Sequence, residues 1–228
     1  MKSVSTFLTV SSELRNQRKS SLTKSAFSSA VFALLLSGCA NQAPQLPQAT
    51  LFPSVTTSPA NYNYLIGPYD SLEVFVWGNP EITGSVEVRP DGKISTKLVE
   101  DIPVAGKTPT QVARDIEKAL SQFIRDPIVT VIPSDFLGPY SEQVRVIGEA
   151  ANPRAISYAK NMTLLDVMIQ VGGISEFAAG NRATLVRVMD TQQKEFGLRI
   201  DDLVRDGDIS ANVDILPGDI IIIPESWF

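Results

Sequence analysis

The first 39 residues limit what the rest of the chain can fold into. A stretch that contains Lys2, Arg15 and Lys24 precedes an uncharged, mostly apolar run over residues 26–36. This order of charged and apolar regions is typical of a secretory signal. A transmembrane helix needs about 20 apolar residues, so the shorter run predicts a signal peptide over residues 1–38. The remaining 190 residues are enough for one or two small domains.

The chain's only cysteine, Cys39, stands directly after this signal. Leu36-Ser37-Gly38-Cys39 resembles the lipobox of bacterial lipoproteins, which implies cleavage before Cys39 and a diacylglyceryl group on its sulfur. Acyl chains that contribute about 0.8 kcal/mol per methylene make such an anchor lasting. The alternative is an ordinary thiol near a conventionally cleaved signal. Ala40, where an Asp commonly retains lipoproteins at the inner membrane, favours a lipid-anchored position at the outer membrane, facing the periplasm.

Charge argues against several classes of partner. The predicted signal holds five of the 20 Lys and Arg residues and one of the 25 Asp and Glu residues, so residues 39–228 carry a formal net charge of −9. That balance argues against binding to nucleic acid and to anionic lipid. With its single cysteine lipidated, the chain has no disulfide, and its stability must come from hydrophobic cores.

An uncharged segment separates the anchor from the folded part. Residues 41–61 contain four prolines and no charged residue, a composition typical of an extended linker. We therefore predict a tether over residues 39–61.

The first folded block is predicted over residues 62–133. Gly67-Pro68-Tyr69-Asp70 has the chemistry of a turn, and a strand follows at Leu72–Trp77. Apolar residues then alternate with polar ones on either side of Pro90-Asp91-Gly92, which predicts a β-hairpin that resumes at Ile94.

Thr108 marks the start of a helix in this block. Thr108 fits the N-cap, Pro109 the first helical position, and Gln111 the partner in a capping box. Five apolar residues at helical spacing are predicted to face the core: Val112, Ile116, Ala119, Leu120 and Phe123. Asp126-Pro127 is predicted to end the helix, a buried strand is expected at Ile128–Ile132, and Pro133–Tyr140 is interpreted as a linker.

The second block is predicted over residues 141–228. A strand at Val144–Gly148 leads to a helix that Thr163 caps and that Gly172-Gly173 ends with left-handed conformations. Further strands are predicted at Ala183–Met189 and Ile220–Ile223. Leu216-Pro217-Gly218-Asp219 launches the last strand and echoes the first block's Gly67–Asp70 turn. Both blocks therefore combine one helix with a few strands, which predicts an α+β fold.

The residue inventory excludes common catalytic and metal sites. The chain has no histidine, which removes Ser-His-Asp and Cys-His catalysis, and zinc sites built from His or Cys are not available. No glycine-rich phosphate loop is present. Ser157-Tyr158-Ala159-Lys160 matches the S-x-x-K of penicillin-recognising enzymes, but the S-D-N and K-T-G segments of that site are missing, so we interpret the match as chance. The sequence predicts no enzyme, no cofactor and no metal site.

Two further groups of residues leave alternatives open. Asp201, Asp202, Asp206, Asp208 and Asp214 suggest calcium, yet Asp206-Gly207-Asp208 lacks the spacing of a calcium loop and favours a turn. Aromatic side chains near the first strand can stack on sugar rings, but such residues more often fill a core or an interface. These aromatic residues are Tyr62, Tyr64, Tyr69, Phe75 and Trp77.

Several motifs follow one another in a fixed order along the chain. Those of the first block are Tyr64–Val74, Trp77-Gly78, Val88–Ser95, Val104–Pro109 and Asp126–Val131. Those of the second block are Val144–Glu149, Asn152-Pro153, Met162–Asp166 and Gly172–Ile174. The first set resembles the polysaccharide-export domain, and the second the β-grasp SLBB domain, of the outer-membrane polysaccharide export lipoproteins of the Wza type. The resemblance implies an N-terminal α/β polysaccharide-export domain followed by a β-grasp domain.

The chain also departs from the family pattern. Tyr69 stands where the family usually has glycine, and we expect this turn position to have a negative φ. The long family members continue into further β-grasp copies and an amphipathic helix that lines an outer-membrane pore. This chain ends at Phe228 directly after a strand, so it resembles the short class, expected to need a separate outer-membrane β-barrel. Its ending also resembles export proteins of exosortase-associated exopolysaccharide clusters.

The resemblance implies a non-enzymatic role in exopolysaccharide or capsule export. The expected form is a homo-oligomeric ring that conducts the polysaccharide. The expected partners are an inner-membrane co-polymerase or tyrosine-kinase-type chain-length protein and the outer-membrane barrel. The alternative function is a monomeric periplasmic β-grasp module that binds a soluble saccharide.

Overall fold

Two hydrophobic cores, one after the other along the chain, organise the structure. The computed structural model describes residues 46–47, 49–50, 52–189 and 192–227, and the residues from Thr50 onward belong to one compact unit. The first core lies between Ile66 and Val131, and the second between Val144 and Ile223. The predicted α+β fold class is confirmed.

Short strands and three helices make up the described chain. The strands are β1 Ser71–Val76, β2 Gly84–Glu87, β3 Lys93–Ile94, β4 Ile102–Pro103, β5 Val129–Pro133, β6 Gln143–Gly148, β7 Arg154–Ser157, β8 Thr184–Met189, β9 Gln192–Gly197 and β10 Ile220–Ile223. The helices are α1 Pro109–Leu120, α2 Leu164–Val171 and α3 Ile200–Val204, with 3₁₀ turns at Pro59–Asn61, Gly180–Arg182 and Ile209–Ala211.

The first domain has two layers, a sheet and a helix. Strands β2, β1 and β5 form an antiparallel sheet in that order, in which Val74 lies opposite Val131 of β5 and Gly84 of β2. Leu72, Val74 and Val76 alternate with exposed residues and are at most 2% exposed, as the period of two in a half-buried strand requires. Helix α1 covers this buried face.

The predicted start of helix α1 is confirmed. The Gln111 amide N–H donates to Thr108 Oγ1 at 3.3 Å, and the Thr108 N–H donates to Gln111 Oε1 at 2.9 Å. These bonds satisfy two donors that a helix N-terminus otherwise leaves free.

The predicted end of the helix is wrong. Helix α1 ends at Leu120 rather than at Asp126-Pro127, and Ser121 Oγ donates to the Lys118 carbonyl at 2.7 Å in its last turn. The helical spacing is lost after Leu120, so Phe123 is 61% exposed instead of facing the core. Ile124 packs against the core in its place.

The predicted hairpin is partly correct. The turn closes as expected, because the Gly92 N–H donates to the Arg89 carbonyl at 2.8 Å and the Arg89 N–H donates to the Lys93 carbonyl at 2.9 Å. Strand β3 then pairs with β4, while β2 pairs with β1. Local turn chemistry identified the reversal but not the strand's partner.

The second domain is a five-stranded mixed sheet with α2 against it. The strand order is β7-β6-β10-β8-β9, and only the β6–β10 pair is parallel among the described strands. A first and a last strand that lie side by side and parallel, with a helix across them, correspond to the expected β-grasp architecture. The sequence did not predict β7, β9 or α3.

The ends of helix α2 follow the prediction. Asp166 Oδ2 accepts from the Thr163 N–H at 2.9 Å and from Thr163 Oγ1 at 2.7 Å, and Gly172 and Gly173 adopt φ of +81° and +87°. Within the ranges given above, no helix is both long and apolar enough to span a membrane.

Candidate functional site

The S-x-x-K segment does not form a helical turn. Ser157 is the last residue of β7, where it lies opposite Gln143, and Lys160 is exposed in the turn that follows. Ser-Lys chemistry needs the two side chains one helical turn apart, and this backbone does not provide that arrangement.

The acidic segment forms turns and ion pairs. Arg199 pairs with Asp202 at 3.0 Å and with Asp208 at 3.1 Å, and Asp201 Oδ2 accepts from the Asn181 N–H at 3.0 Å. A hydrogen bond from Ser210 lowers the pKa of the Asp208 carboxyl. Among the described residues no group of three or more acidic side chains could hold a metal ion. The turn interpretation therefore fits this segment.

Asp70 is the fully buried centre of the junction between the two domains. Its Oδ2 accepts from the Gly67 N–H at 2.8 Å and from the Tyr64 hydroxyl, and its Oδ1 accepts from the Leu137 and Gly138 N–H groups at 2.9 and 3.0 Å. One carboxylate thus fixes both the turn before β1 and the linker between the domains. A side chain on Gly67 would place its Cβ 2.1 Å from the Gly138 carbonyl carbon, so the two backbones require glycine there.

The backbone φ angle of Tyr69 has the opposite sign to the expected one. Tyr69 adopts φ +70°, not the negative φ that we expected, so a bulky residue occupies the left-handed region that glycine favours. Asp70 donates its N–H to the Gly67 carbonyl at 3.3 Å, and Tyr69 donates its own to the Val88 carbonyl at 2.8 Å. These surrounding bonds fix the turn despite the steric cost.

The second domain repeats this turn. Asp219 Oδ2 accepts from the Leu216 N–H at 2.8 Å, the Asp219 N–H donates to the Leu216 carbonyl at 3.2 Å, and Gly218 has φ +84°. Proline is the second residue and the third has positive φ, as in a type II turn. Asp219 differs from Asp70 in its partner, because Arg187 binds its buried carboxylate through two 2.7 Å hydrogen bonds.

Glu142 connects the residues before the first domain to the start of the second. Its carboxylate accepts from Ser54 Oγ at 2.8 Å and from the Val55 N–H at 3.3 Å, and the residue is 5% exposed. Burial raises the pKa of this carboxyl against the opposing effect of the hydrogen bonds. The last part of the segment predicted as a tether, from Ser54 onward, therefore packs against the domain junction.

The five aromatic residues near the first strand have different surroundings. Tyr62 packs edge-on against Tyr158 of the second core at 4.8 Å between ring centroids, and Tyr64 packs against Phe136 at 5.3 Å. Burial raises the pKa of Tyr62 to about 12, and burial together with the Asp70 carboxylate raises that of Tyr64 further. These two tyrosines belong to the domain junction.

Phe75 and Trp77 lie on the uncovered side of the first sheet. They are 41% and 67% exposed, and they point away from α1 because Val74 and Val76 point towards it. Ile128 and Ile132 of the neighbouring chain segment are 57% and 47% exposed on the same side. We call these four residues the open sheet face. Neighbouring exposed apolar side chains of this kind are typical of interaction surfaces.

A small groove beside β2 offers little binding chemistry. It has a volume of about 330 Å³ and is lined in part by Val74, Ile82, Thr96 and Lys97. The Lys97 ammonium donates to the Glu81 and Thr83 carbonyls at 2.6 and 3.2 Å, and Thr96 Oγ1 donates to the Val99 carbonyl. These polar groups are already occupied within the domain.

Sequence reasoning identified the two turns but missed the roles of Asp70, Glu142 and Arg187. The repeated placement of Asp at the fourth position of both turns was an available signal for Asp70 and Asp219. Glu142 and Arg187 carry no local signal, since their partners lie 88 and 32 residues away. Cys39, the predicted lipidation site, lies outside the described residues.

Two family models match the chain in succession. A model described as polysaccharide biosynthesis/export protein matches residues 58–133, and an SLBB domain model matches residues 143–197. The first range contains the first hydrophobic core and the Asp70 turn. The second range contains the second core as far as Leu185 and stops before α3 and β10.

Curated relatives carry names from polysaccharide export. The EPS I polysaccharide export outer membrane protein EpsA of Ralstonia nicotianae is 28% identical over 187 residues, which cover 71% of this chain and 47% of EpsA. The exopolysaccharide production protein ExoF of Rhizobium meliloti is 30% identical, with 52% of this chain and 30% of ExoF covered. The polysialic acid transport protein KpsD of Escherichia coli is 26% identical, with 57% and 23% covered. The chain thus spans about half the length of EpsA and less of the other two.

Proposed function

We propose that this chain, which belongs to the family of outer-membrane polysaccharide export proteins, is a lipid-anchored component of an exopolysaccharide or capsule export machine. The observation that carries the proposal is the succession of the two family domains over residues 58–133 and 143–197. The family consists of export proteins rather than enzymes, in keeping with the absence of a helical turn between Ser157 and Lys160.

In this proposal, the protein forms a homo-oligomeric ring that faces the periplasm. Its lumen conducts the polysaccharide from an inner-membrane co-polymerase or chain-length protein to an outer-membrane barrel. The names of EpsA, ExoF and KpsD support a polysaccharide as the transported substrate. The open sheet face supports assembly, because exposed Trp, Phe and Ile side chains are typical of protein interfaces.

Anchoring through Cys39 is the part of the proposal that a single substitution tests. We expect a strain that lacks the gene to lose surface polysaccharide and to regain it with the wild-type gene. Cys39→Ser is expected to abolish labelling by radioactive palmitate, release the protein into the soluble periplasmic fraction and reduce secreted polysaccharide. Ser157→Ala is the matched control, which should retain labelling and full secretion.

Two results would overturn these proposals. Normal surface polysaccharide in the deletion strain would refute the export function and favour the saccharide-binding module. Full palmitate labelling of Cys39→Ser would refute the anchor. For the ring, native mass spectrometry of the full-length protein in detergent should show a closed oligomer, and a monomer at every concentration would refute it.

A further inference from the structure

We propose that neighbouring copies join head to tail, with the open sheet face of one copy packed against the end of helix α1 of the next. This inference rests on the proposed ring and specifies its subunit contact. The sheet of the first domain has α1 on one side and no described element on the other. A two-layer domain with a bare apolar sheet face reaches a stable arrangement when another layer covers that face.

The bare face is continuous across two chain segments. The Trp77 N–H donates to the Ile128 carbonyl at 2.9 Å, which places these two residues side by side. Phe75 lies opposite Thr130 and Glu73 opposite Ile132 in the β1–β5 register. Residues directly opposite one another in such a pair have neighbouring side chains. The aromatic and aliphatic groups therefore form one patch rather than scattered exposed residues.

The patch has an acidic border. Glu73 and Glu87 are exposed and point to the same side as Phe75, since they lie opposite Ser85 and Ser71 in the β1–β2 register. Neither carboxylate forms an ion pair within the described part of the chain. Glu73 and Glu87 thus place two free negative charges beside the open sheet face.

The opposite layer of the same domain has the complementary character. Lys118 points away from the sheet, because Ile116 and Leu120 occupy the buried side of α1. Phe123 is 61% exposed just after the helix, and Arg125 is exposed two residues later. We call Lys118, Phe123 and Arg125 the helix-end patch.

Charge neutralisation within the domain leaves the helix-end patch basic. Arg114 is paired with Glu117 at 3.0 Å and Asp115 with Lys107 at 2.7 Å. Lys118 and Arg125 form no ion pair within the described part of the chain. In the segment 118–126 the one carboxylate is that of Asp126, which is exposed and likewise unpaired among the described residues. A net positive patch therefore surrounds an exposed phenylalanine at the helix end, while two carboxylates border the exposed apolar groups of the sheet.

This opposition selects the symmetry of the contact. Two open sheet faces in contact would bring four glutamates together, and two helix-end patches would bring like charges together, which costs free energy. A contact between unlike patches is heterologous, and repeated heterologous contacts close into a ring when the rotation permits. It also offsets part of the repulsion between subunits that each carry a net charge of −9 over residues 39–228.

Paired charge reversals test the contact in the full-length protein in detergent. The sheet variant is Glu73→Lys with Glu87→Lys, and the helix variant is Lys118→Glu with Arg125→Glu. Each variant alone should associate at least tenfold more weakly than the wild type in analytical ultracentrifugation. Mixed together, the two should assemble again with a 1:1 composition, because each then meets a complementary neighbour on both sides.

Matched reversals at exposed sites elsewhere serve as controls. Glu176→Lys with Glu195→Lys matches the sheet variant, and Lys160→Glu with Lys194→Glu matches the helix variant. Both controls should assemble as the wild type does. Circular dichroism of all four variants establishes that any loss of assembly is not a loss of folding.

Fluorescence gives an independent readout. The chain has two tryptophans, Trp77 and Trp227, so Trp227→Phe leaves Trp77 as the only one. Its emission should shift to shorter wavelength as the protein concentration rises and the ring forms, and the sheet variant in this background should show no shift. An assembling protein with unchanged Trp77 emission would refute the contact.

The outcomes separate this inference from the proposed ring. A wild-type protein that is monomeric at all concentrations would refute the ring and the contact together. An oligomeric wild type whose helix variant assembles normally would refute the contact alone. Failure of the mixed variants to assemble, with both correctly folded, would also refute it.

Discussion

Arg187 donates two hydrogen bonds, each 2.7 Å long, to the buried carboxylate of Asp219. The same guanidinium donates to the Asp214 carbonyl at 3.2 Å and lies 6.0 Å from the Phe196 ring centroid. The pair links β8 to the turn that launches β10 and thus holds the central strand of the second domain in place.

We expect Arg187→Ala to lower the free energy of unfolding by about 3 kcal/mol, because it leaves the Asp219 carboxylate buried without its cation. Arg187→Lys should lose less, since it retains the charge but not the two-point geometry. Urea titration followed by circular dichroism measures both. Lys160→Ala, at an exposed position, is the control, and equal midpoints for Arg187→Ala and Lys160→Ala would contradict the prediction.

Asp70 should be among the residues least tolerant of change at the domain junction. Asp70→Asn replaces one acceptor oxygen by a donor that opposes the Gly67 N–H or the linker N–H groups, so we expect a loss of about 2 kcal/mol. Tyr64→Phe removes a single hydrogen bond to the same carboxylate and should cost about 1 kcal/mol. Thermal unfolding measures both variants. A larger loss for Tyr64→Phe than for Asp70→Asn would be inconsistent with the arrangement of the carboxylate.

The two repeated turns provide a matched pair of substitutions with opposite effects. Tyr69→Gly should stabilise the protein by about 0.5 to 1 kcal/mol, because glycine adopts the observed φ of +70° without steric cost. Gly218→Ala at the equivalent position should destabilise it, since the new Cβ would lie 2.6 Å from the Ser141 carbonyl oxygen. Unfolding midpoints of the two variants test this. A Tyr69→Gly variant less stable than the wild type would show that the tyrosine side chain has a compensating contact.

Glu142 should make the stability of the junction depend on pH. Its pKa is raised in the folded state, so between the ordinary and the raised pKa the folded protein holds a proton that the unfolded chain has lost. The contribution of Glu142 is therefore most favourable below the ordinary pKa and declines as the pH rises through the raised value. Glu142→Gln removes this dependence.

The stability of Glu142→Gln relative to the wild type should increase between pH 4 and pH 8, as measured by urea unfolding at each pH. Glu176→Gln, at an exposed position, provides the comparison. A relative stability of Glu142→Gln that falls as the pH rises would have the wrong sign for a carboxyl whose burial dominates.

The sequence predicted the elements whose signals are local. The capping box at Thr108, the cap at Thr163 and the glycines after α2 place their donors and acceptors within a few residues of each other. Strand β9 was missed because all six of its residues are exposed at the sheet edge and carry no alternating apolar pattern. Phe123 was misplaced because periodicity alone does not show where a helix stops.

The junction could be predicted only in part for a related reason. The Asp70 turn is recognisable from Gly67-Pro68, but its bonds to Leu137 and Gly138 cross almost 70 residues of chain. The partner of Glu142 at Ser54 lies in a segment whose composition predicts a linker. Such contacts depend on how the two domains meet, and no residue spacing encodes that.

The parallel pairing of β6 with β10 gives the second domain a direction of mechanical strength. Residues Arg145–Gly148 lie beside Ile220–Ile223 in the same orientation, and the chain enters through β6 and leaves through β10. A pull on the entering end of β6 and the leaving end of β10 drives these strands past each other along their length. All of their hydrogen bonds then resist together instead of opening one by one. The domain should therefore resist being stretched between these two ends.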